Sequence, residues 1–313
     1  MISNAISGGF SSFSGGIGGG NMHSQVTPGV QTTQHDSHDE NRPVANFSFS
    51  HRGLSAGENA SPVRVWGQGN YTHYKVSEPA LETKGDLQHY VLGGDYRLTP
   101  SLQAGLALSW EDSDNKTLFN SGTLTSDGLS VLPYLGIAIN NEWTADLSLG
   151  YSWLNYDVSH TSNTITGTFD AHRSMASANL VGNYARDKWL FQPKMGLLYV
   201  EEKQDSYTES DGGIVLERSS KLGRLSAGSK IGYTTDFGIP YVKMMGEWDF
   251  KTPDSILTTN GQYSQTNRGG AVFGGGYEIH KGNLAGSLEI NNSSLFRDNL
   301  EIWTVGLRVD YQF

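Results

Sequence analysis

Residues 300–313 read LEIWTVGLRVDYQF. Trp303, Val305, Leu307, Val309, Tyr311 and Phe313 fall on one side of an extended chain. Thr304, Gly306, Arg308, Asp310 and Gln312 fall on the other. A period of two is the side-chain period of a β-strand. An apolar, aromatic-rich face opposite a face bearing Arg308 and Asp310 suits a wall between lipid and water.

The same signature recurs from Val63 to the end of the chain. About twelve strands are predicted, at 63–76, 86–98, 101–112, 123–138, 142–157, 168–185, 188–203, 215–233, 239–251, 267–279, 284–293 and 300–313. Each is near the roughly ten residues that a tilted membrane strand needs. The connections 99–100, 140–141, 186–187, 234–238 and 280–283 are short. Segments 77–85, 113–122, 158–167, 204–214, 252–266 and 294–299 are longer and polar. Short turns on one side and long loops on the other mark an outer-membrane barrel, with the short side periplasmic. The fold class read here is therefore all-β: a transmembrane antiparallel up-and-down barrel. The aromatic residues support it. Trp143 and Trp189 lie near short turns, and Trp110, Trp153, Trp248 and Trp303 lie near long loops. Two belts are what the two interfaces of a bilayer select.

Composition narrows the function classes. Cysteine is absent, which is compatible with an oxidising envelope. No run of about 18 apolar residues exists, so no transmembrane helix is predicted. A net charge of −10 argues against nucleic acid, which needs a basic surface.

Residues 1–61 differ from the rest. Gly, Ser, His and Asn dominate, with GGIGGG at 15–20 and QTTQHDSHDENRP at 31–43. The composition is that of a linker. Ile2–Phe13 is the one helix candidate, although Gly8 and Gly9 oppose helix. The start, MISNAISGGFSSFSGG, has neither the basic nor the apolar region of a signal peptide. An outer-membrane protein requires one, so the chain is expected to be the C-terminal piece of a longer precursor. The barrel is assigned to residues 62–313.

The predicted inner faces carry Asp95, Arg97, Asp146, Lys194, Arg224, Lys230, Lys243, Glu247, Asp249, Glu289, Arg308 and Asp310. They would line a hydrated lumen, in pairs or with water, because lone buried charges are costly. Barrel architecture alone already demands a polar interior. Glycines recur on strands at 67 and 69, 93 and 94, and 274–276. They permit either sharp curvature or the close approach of something inside. No catalytic constellation is evident. His89 shares a face with Asp95, but six residues separate them by about 20 Å. His35 and His38 form an H-x-x-H that reads as solvated linker, so no metal is predicted. No cofactor motif is present.

Several strand pairs resemble the autotransporter β-domain family, the translocation unit of type V secretion. VRVWGQGNYTHY at 63–74 resembles its opening strand. VLGGDYRLTPSLQAGLALSW at 91–110 is similar to its Gly–Asp–Tyr strand, tight turn and following strand. FQPKMGLLYVEEKQDSYTESDGG at 191–213 resembles its Pro–Gly–Leu–Tyr strand and loop, and VGLRVDYQF fits its end. The terminal Phe, with Tyr two residues before it, also resembles the C-terminal signal of outer-membrane barrels, here Val305, Leu307, Val309, Tyr311 and Phe313. The resemblance implies a twelve-stranded barrel in the bacterial outer membrane, inserted by the barrel-insertion machinery, and the barrel is expected to be a monomer. It implies a helical or extended segment in the pore, here within residues 1–61, joined to an upstream passenger that the barrel exports. Some members cleave themselves at an Asn; Asn4, Asn21, Asn41 and Asn46 are available, and no local pattern selects one. The competing reading is a passive porin-like channel for small solutes.

Overall fold

The structure is a computed structural model that describes residues 62–78, 82–252 and 268–313. It also describes the backbone of four short strands, Val26–Thr27, Asn46–Phe47, Ile256–Thr258 and Gly261–Tyr263. The helix candidate Ile2–Phe13, the four asparagines and the H-x-x-H lie outside the described residues, apart from the backbone of Asn46.

Twelve strands form one wall. They are β1 (Val63–Val76), β2 (Thr83–Thr99), β3 (Leu102–Thr117), β4 (Gly122–Ala138), β5 (Trp143–His160), β6 (Ile165–Gly182), β7 (Trp189–Gln204), β8 (Arg218–Tyr233), β9 (Ile239–Lys251), β10 (Gly269–Lys281), β11 (Leu284–Leu295) and β12 (Leu300–Gln312). Each pairs antiparallel with its sequence neighbours, and β12 pairs with β1 from Leu300↔Val76 to Gln312↔Arg64. That last ladder closes the sheet. Closure satisfies every strand's backbone within the wall, which is the condition for crossing hydrocarbon with strands.

Side chains sort by parity. On β5, Leu147, Leu149, Tyr151 and Trp153 are exposed while Thr144, Asp146, Ser148 and Ser152 are buried. On β2 and β4, Leu92 and Leu129 are more than 60% exposed, whereas Leu132, inward, is 2% exposed. A soluble sandwich would bury those leucines. Here the exposed apolar band is the face a bilayer covers.

Two features differ from the sequence reading. The strands run 12 to 18 residues, longer than a membrane crossing requires. The segments read as loops at 113–122 and 158–167 shrink to the turns Leu118–Ser121 and Thr161–Thr164. Their flanks carry polar residues on both faces, which reads as loop, yet the backbone ladder continues regardless of side-chain polarity. Second, the interior is not uniformly polar. Trp66, Val91, Leu132, Tyr134, Met175, Leu198 and Val200 form an apolar layer inside the wall. Glycine makes room for it: Gly93 lies opposite Trp66 and Gly105 opposite Tyr134, and a Cβ at either would collide with the aromatic ring. What approaches these glycines is the barrel's own aromatic side chains.

Candidate functional site: the charged lumen

Inward parity gathers ionisable groups from strands far apart in sequence into four clusters. The first lies where the barrel closes. Arg64 on β1 grips Asp95 on β2, with Nη2 to Oδ2 at 2.6 Å and Nε to both oxygens at 3.1 and 3.2 Å. Its Nη1 lies 3.7 Å from Asp310 on β12. Asp310 in turn accepts from Arg308 at 2.8 and 2.9 Å. Arg308 lies over the Trp66 ring at 4.2 Å, Trp66 Nε1 donates to Tyr134 Oη at 2.7 Å, and Tyr134 Oη donates to Asp95 at 2.8 Å. First and last strands are thus tied by the Arg64–Asp310 ion pair and the Arg308–Trp66 contact as well as by the backbone, while the fork-shaped, charge-assisted bonds fix Arg64 on Asp95 and Arg308 on Asp310.

The second cluster spans β3 to β7. Arg173 on β6 sits between two carboxylates. It donates through Nη1 to Glu111 on β3 at 2.9 and 3.0 Å, and through Nε to Glu202 on β7 at 2.9 Å. Tyr156 and Gln204 each donate to Glu202 at 3.1 Å. Glu202 is fully buried. The third cluster lies between β8 and β9. Arg224 bonds Asp249 at 2.6 Å and pairs with Glu247 at 3.1 Å. Arg297, from the β11–β12 turn, reaches the same two carboxylates at 2.9 and 3.1 Å. The fourth runs across β8 to β11. Lys230 pairs with Glu278 at 2.7 Å, Lys243 pairs with Glu289, and Tyr241 donates to Glu289 at 2.8 Å. Lys230 and Lys243 are direct cross-strand partners. Such like-charge neighbours repel unless each has its own counter-ion, which the two glutamates supply.

The remaining lumen candidates sit apart from these networks. Asp146 is buried and accepts from Asn179 at 2.7 Å. Lys194 is partly buried on β7 and forms no ion pair among the described residues. Arg97 is partly exposed near the β2–β3 turn. Sequence reasoning missed Arg64, Glu111, Arg173, Glu202, Glu278 and Arg297. For the first five the parity of their own strands carried the signal, since each shares a face with buried neighbours. Arg297 had none, because a turn residue has no strand parity.

The described histidines do not assemble around one centre. His89 lies directly opposite Glu111, whose two oxygens both take Arg173. His172 faces outward, stacked on Tyr151 at 5.9 Å. His160, beside the β5–β6 turn, meets Glu209 at 3.0 Å. Glu209 belongs to a small hairpin, Tyr207–Thr208 with Ile214–Val215. Tyr207 stacks on Phe169 at 4.9 Å, and burial pushes its phenol up to about 12.

On the outer surface Trp110, Trp153, Trp189, Trp248 and Trp303 are exposed, and Trp143 partly so. Several pair with tyrosines: Trp110 with Tyr90 at 5.7 Å, Trp143 with Tyr184 at 6.2 Å, and Trp189 with Tyr233 at 5.0 Å. Val305, Leu307, Val309, Tyr311 and Phe313 are exposed along β12 and its end.

The lumen's fixed charges balance each other, so no strong single-sign field selects one ion.

The described geometry has known parallels. The family model for the autotransporter beta-domain matches residues 65–296. The translocator domain of the autotransporter NalP from Neisseria meningitidis is 16% identical, with a TM-score of 0.68, over 84% of this chain and 92% of that one. The beta domain of the Bordetella autotransporter BrkA is 15% identical, with a TM-score of 0.66, over 81% and 100%. The transport unit of the autotransporter AIDA-I from Escherichia coli is 16% identical, with a TM-score of 0.63, over 82% and 92%. At these identities the structural likeness speaks for the fold alone. No curated protein is significantly similar to the chain in sequence.

Proposed function

The chain belongs to the autotransporter β-domain family, translocator barrels of the bacterial outer membrane that serve type V secretion, and on that premise we propose that its lumen holds residues 1–61 as the connection to an exported N-terminal passenger. One observation carries this reading. β1 begins at Val63, at the short-turn end of the barrel, where Arg97 N donates to Pro62 O at 3.0 Å and Phe313 N to Val63 O at 3.2 Å. That end is periplasmic. The wall is closed by the β12–β1 ladder, so a segment joining this end to the cell surface has only the lumen to run through. At about 3.3–3.6 Å per extended residue, the segment is long enough for the crossing.

In this reading Lys194 and the paired charges form a polar sleeve around the connecting segment, and the wall performs no covalent chemistry. The barrel acts as a monomer. Its tryptophan belts sit at the two bilayer interfaces, and the face from Val305 to Phe313 is what the insertion machinery reads.

Single-channel conductance of the refolded barrel tests the main proposal. Removing residues 1–61 is expected to convert a nearly closed barrel into an open pore. Equal conductance with and without them would place the tail outside and favour a passive channel. The insertion proposal has its own test. Deleting Phe313 removes a side chain that is 56% exposed and meets the Tyr311 ring edge-on at 5.0 Å, together with one backbone hydrogen bond to Val63 O. The purified variant is expected to refold in detergent as the parent does, while its amount in the outer membrane of cells falls several-fold. Unchanged assembly in cells would refute the role of the terminal Phe.

A further inference from the structure

The outer surface of β1 lacks side chains where its neighbours have large ones. Gly67 and Gly69 both face outward, opposite Val309 and Leu307 on β12 and Leu92 and Tyr90 on β2. A Cβ on Gly67 would meet nothing nearer than 3.8 Å, and one on Gly69 would touch the Tyr90 ring at 3.3 Å. The result is a trough of about 580 Å³ lined almost wholly by apolar groups, with the stacked Tyr90 and Trp110 as one wall. It lies in the exposed apolar band, the face a bilayer's acyl chains cover.

The same three strands carry a second anomaly toward the surface side. Lys75 on β1 lies opposite Lys84 on β2, and Lys84 lies opposite Lys116 on β3. All three share the outward parity of the trough; Lys84 and Lys116 are exposed and Lys75 partly so. None makes an ion pair among the described residues. Glu301, opposite Lys75 on β12, accepts instead from Trp303 Nε1 at 3.1 Å. Three like charges in one cross-strand row repel one another, and an anion bound across them removes that cost. Between lysines and trough lies a tier of hydrogen-bonding groups on the same face. Tyr71 Oη and His73 Nδ1 both meet Asp86 Oδ1, at 2.6 and 2.8 Å, and Asp114 and Asp112 lie opposite Asp86 and Gln88. Carboxylates there would repel a phosphate but accept from sugar hydroxyls. Lys75 is six residues above Gly69, about 20 Å along the strand.

We propose that the outer face of β1–β3 binds one phosphorylated glycolipid of the outer leaflet, with an acyl chain in the Gly67–Gly69 trough, sugar hydroxyls at the Asp86–Asp112 tier, and phosphate on the Lys75–Lys84–Lys116 row. Charge complementarity and vertical order select this occupant over an ordinary phospholipid, which has no sugar to match the acidic tier. The site is separate from the lumen, so its failure leaves the translocator reading untouched.

The test is native mass spectrometry of the full folded chain after exposure to lipid A, with phosphatidylglycerol, phosphatidylcholine and dephosphorylated lipid A as comparisons and inorganic phosphate as competitor. One equivalent of lipid A is expected to be retained at least tenfold better than any comparison lipid. Retention is expected to fall tenfold or more in K75Q/K84Q/K116Q, whose changes lie on the surface and leave the barrel folded by heat-shifted gel mobility. It is expected to fall similarly in G67L/G69L. Displacement by inorganic phosphate alone, with no preference for the lipid, would overturn the proposal in favour of a simple anion site. Equal retention of phosphatidylglycerol, or undiminished retention in the lysine variant, would overturn it too. A species of two chains abolished by G67L/G69L would instead make the trough a contact between copies.

Discussion

Arg173→Met is expected to lower the unfolding free energy of the lipid-embedded barrel by about 3–5 kcal/mol. Arg173 is the sole cation contacting Glu111 and Glu202 among the described residues. Side-chain exposure is 7% for the arginine, 4% for Glu111 and 0% for Glu202. Methionine keeps an unbranched apolar stem in place of the arginine's but leaves two carboxylates facing each other in a confined space. The loss is therefore dominated by uncompensated charge, and the contribution of the ion pairs themselves is smaller. That makes a second result diagnostic. R173M/E111Q/E202Q removes all three charges at once and is expected to recover most of the stability. Urea titrations of vesicle-folded protein read both. If R173M stays within about 1 kcal/mol of the parent, water reaches Glu202 freely and the cluster is a hydrated lining.

Leu307→Arg is expected to cost about 2–4 kcal/mol, because it places a charge on the lipid face at mid-strand. Leu307 is 56% exposed in the barrel's outer band and lies opposite Leu288 and Gly69. The next residue, Arg308, is charged yet buried, paired with Asp310. One step along the chain thus separates a tolerated arginine from a costly one, since a one-residue shift crosses the wall. Tyr311→Arg, nearer the interface, is expected to cost only about 0–1 kcal/mol, and Leu307→Phe close to nothing. The same urea titrations in vesicles, with detergent as the comparison, give these values. An L307R cost equal to that of Tyr311→Arg would mean that the band does not face hydrocarbon.

Much of the fold was legible because a barrel strand is a local object. Parity in LEIWTVGLRVDYQF assigns Leu307 and Arg308 to opposite sides without knowledge of any partner. Strand ends were less legible. Asp114 and Lys116 read as loop by polarity, yet the ladder continues through them to Thr117. The lumen was legible as a list of inward charges but not as a set of pairs. Arg64 and Asp310 are separated by nearly the whole barrel sequence and meet only because β12 closes on β1. Trp66 looked like any other aromatic, but its side chain turns inward onto Gly93.

Sequence alone determined the alternation, the approximate strand number, the apolar outer face and the family, because each depends on neighbours two residues away or on short motifs in order. Tertiary structure alone decided the register. Register sets which carboxylate receives Arg173, which turn sends Arg297 into the lumen, and that Lys75, Lys84 and Lys116 stand in one row above a glycine-floored trough. Those outcomes rest on hydrogen-bond partners far away in the chain, and a period of two is silent about which strand, and which residue on it, lies alongside.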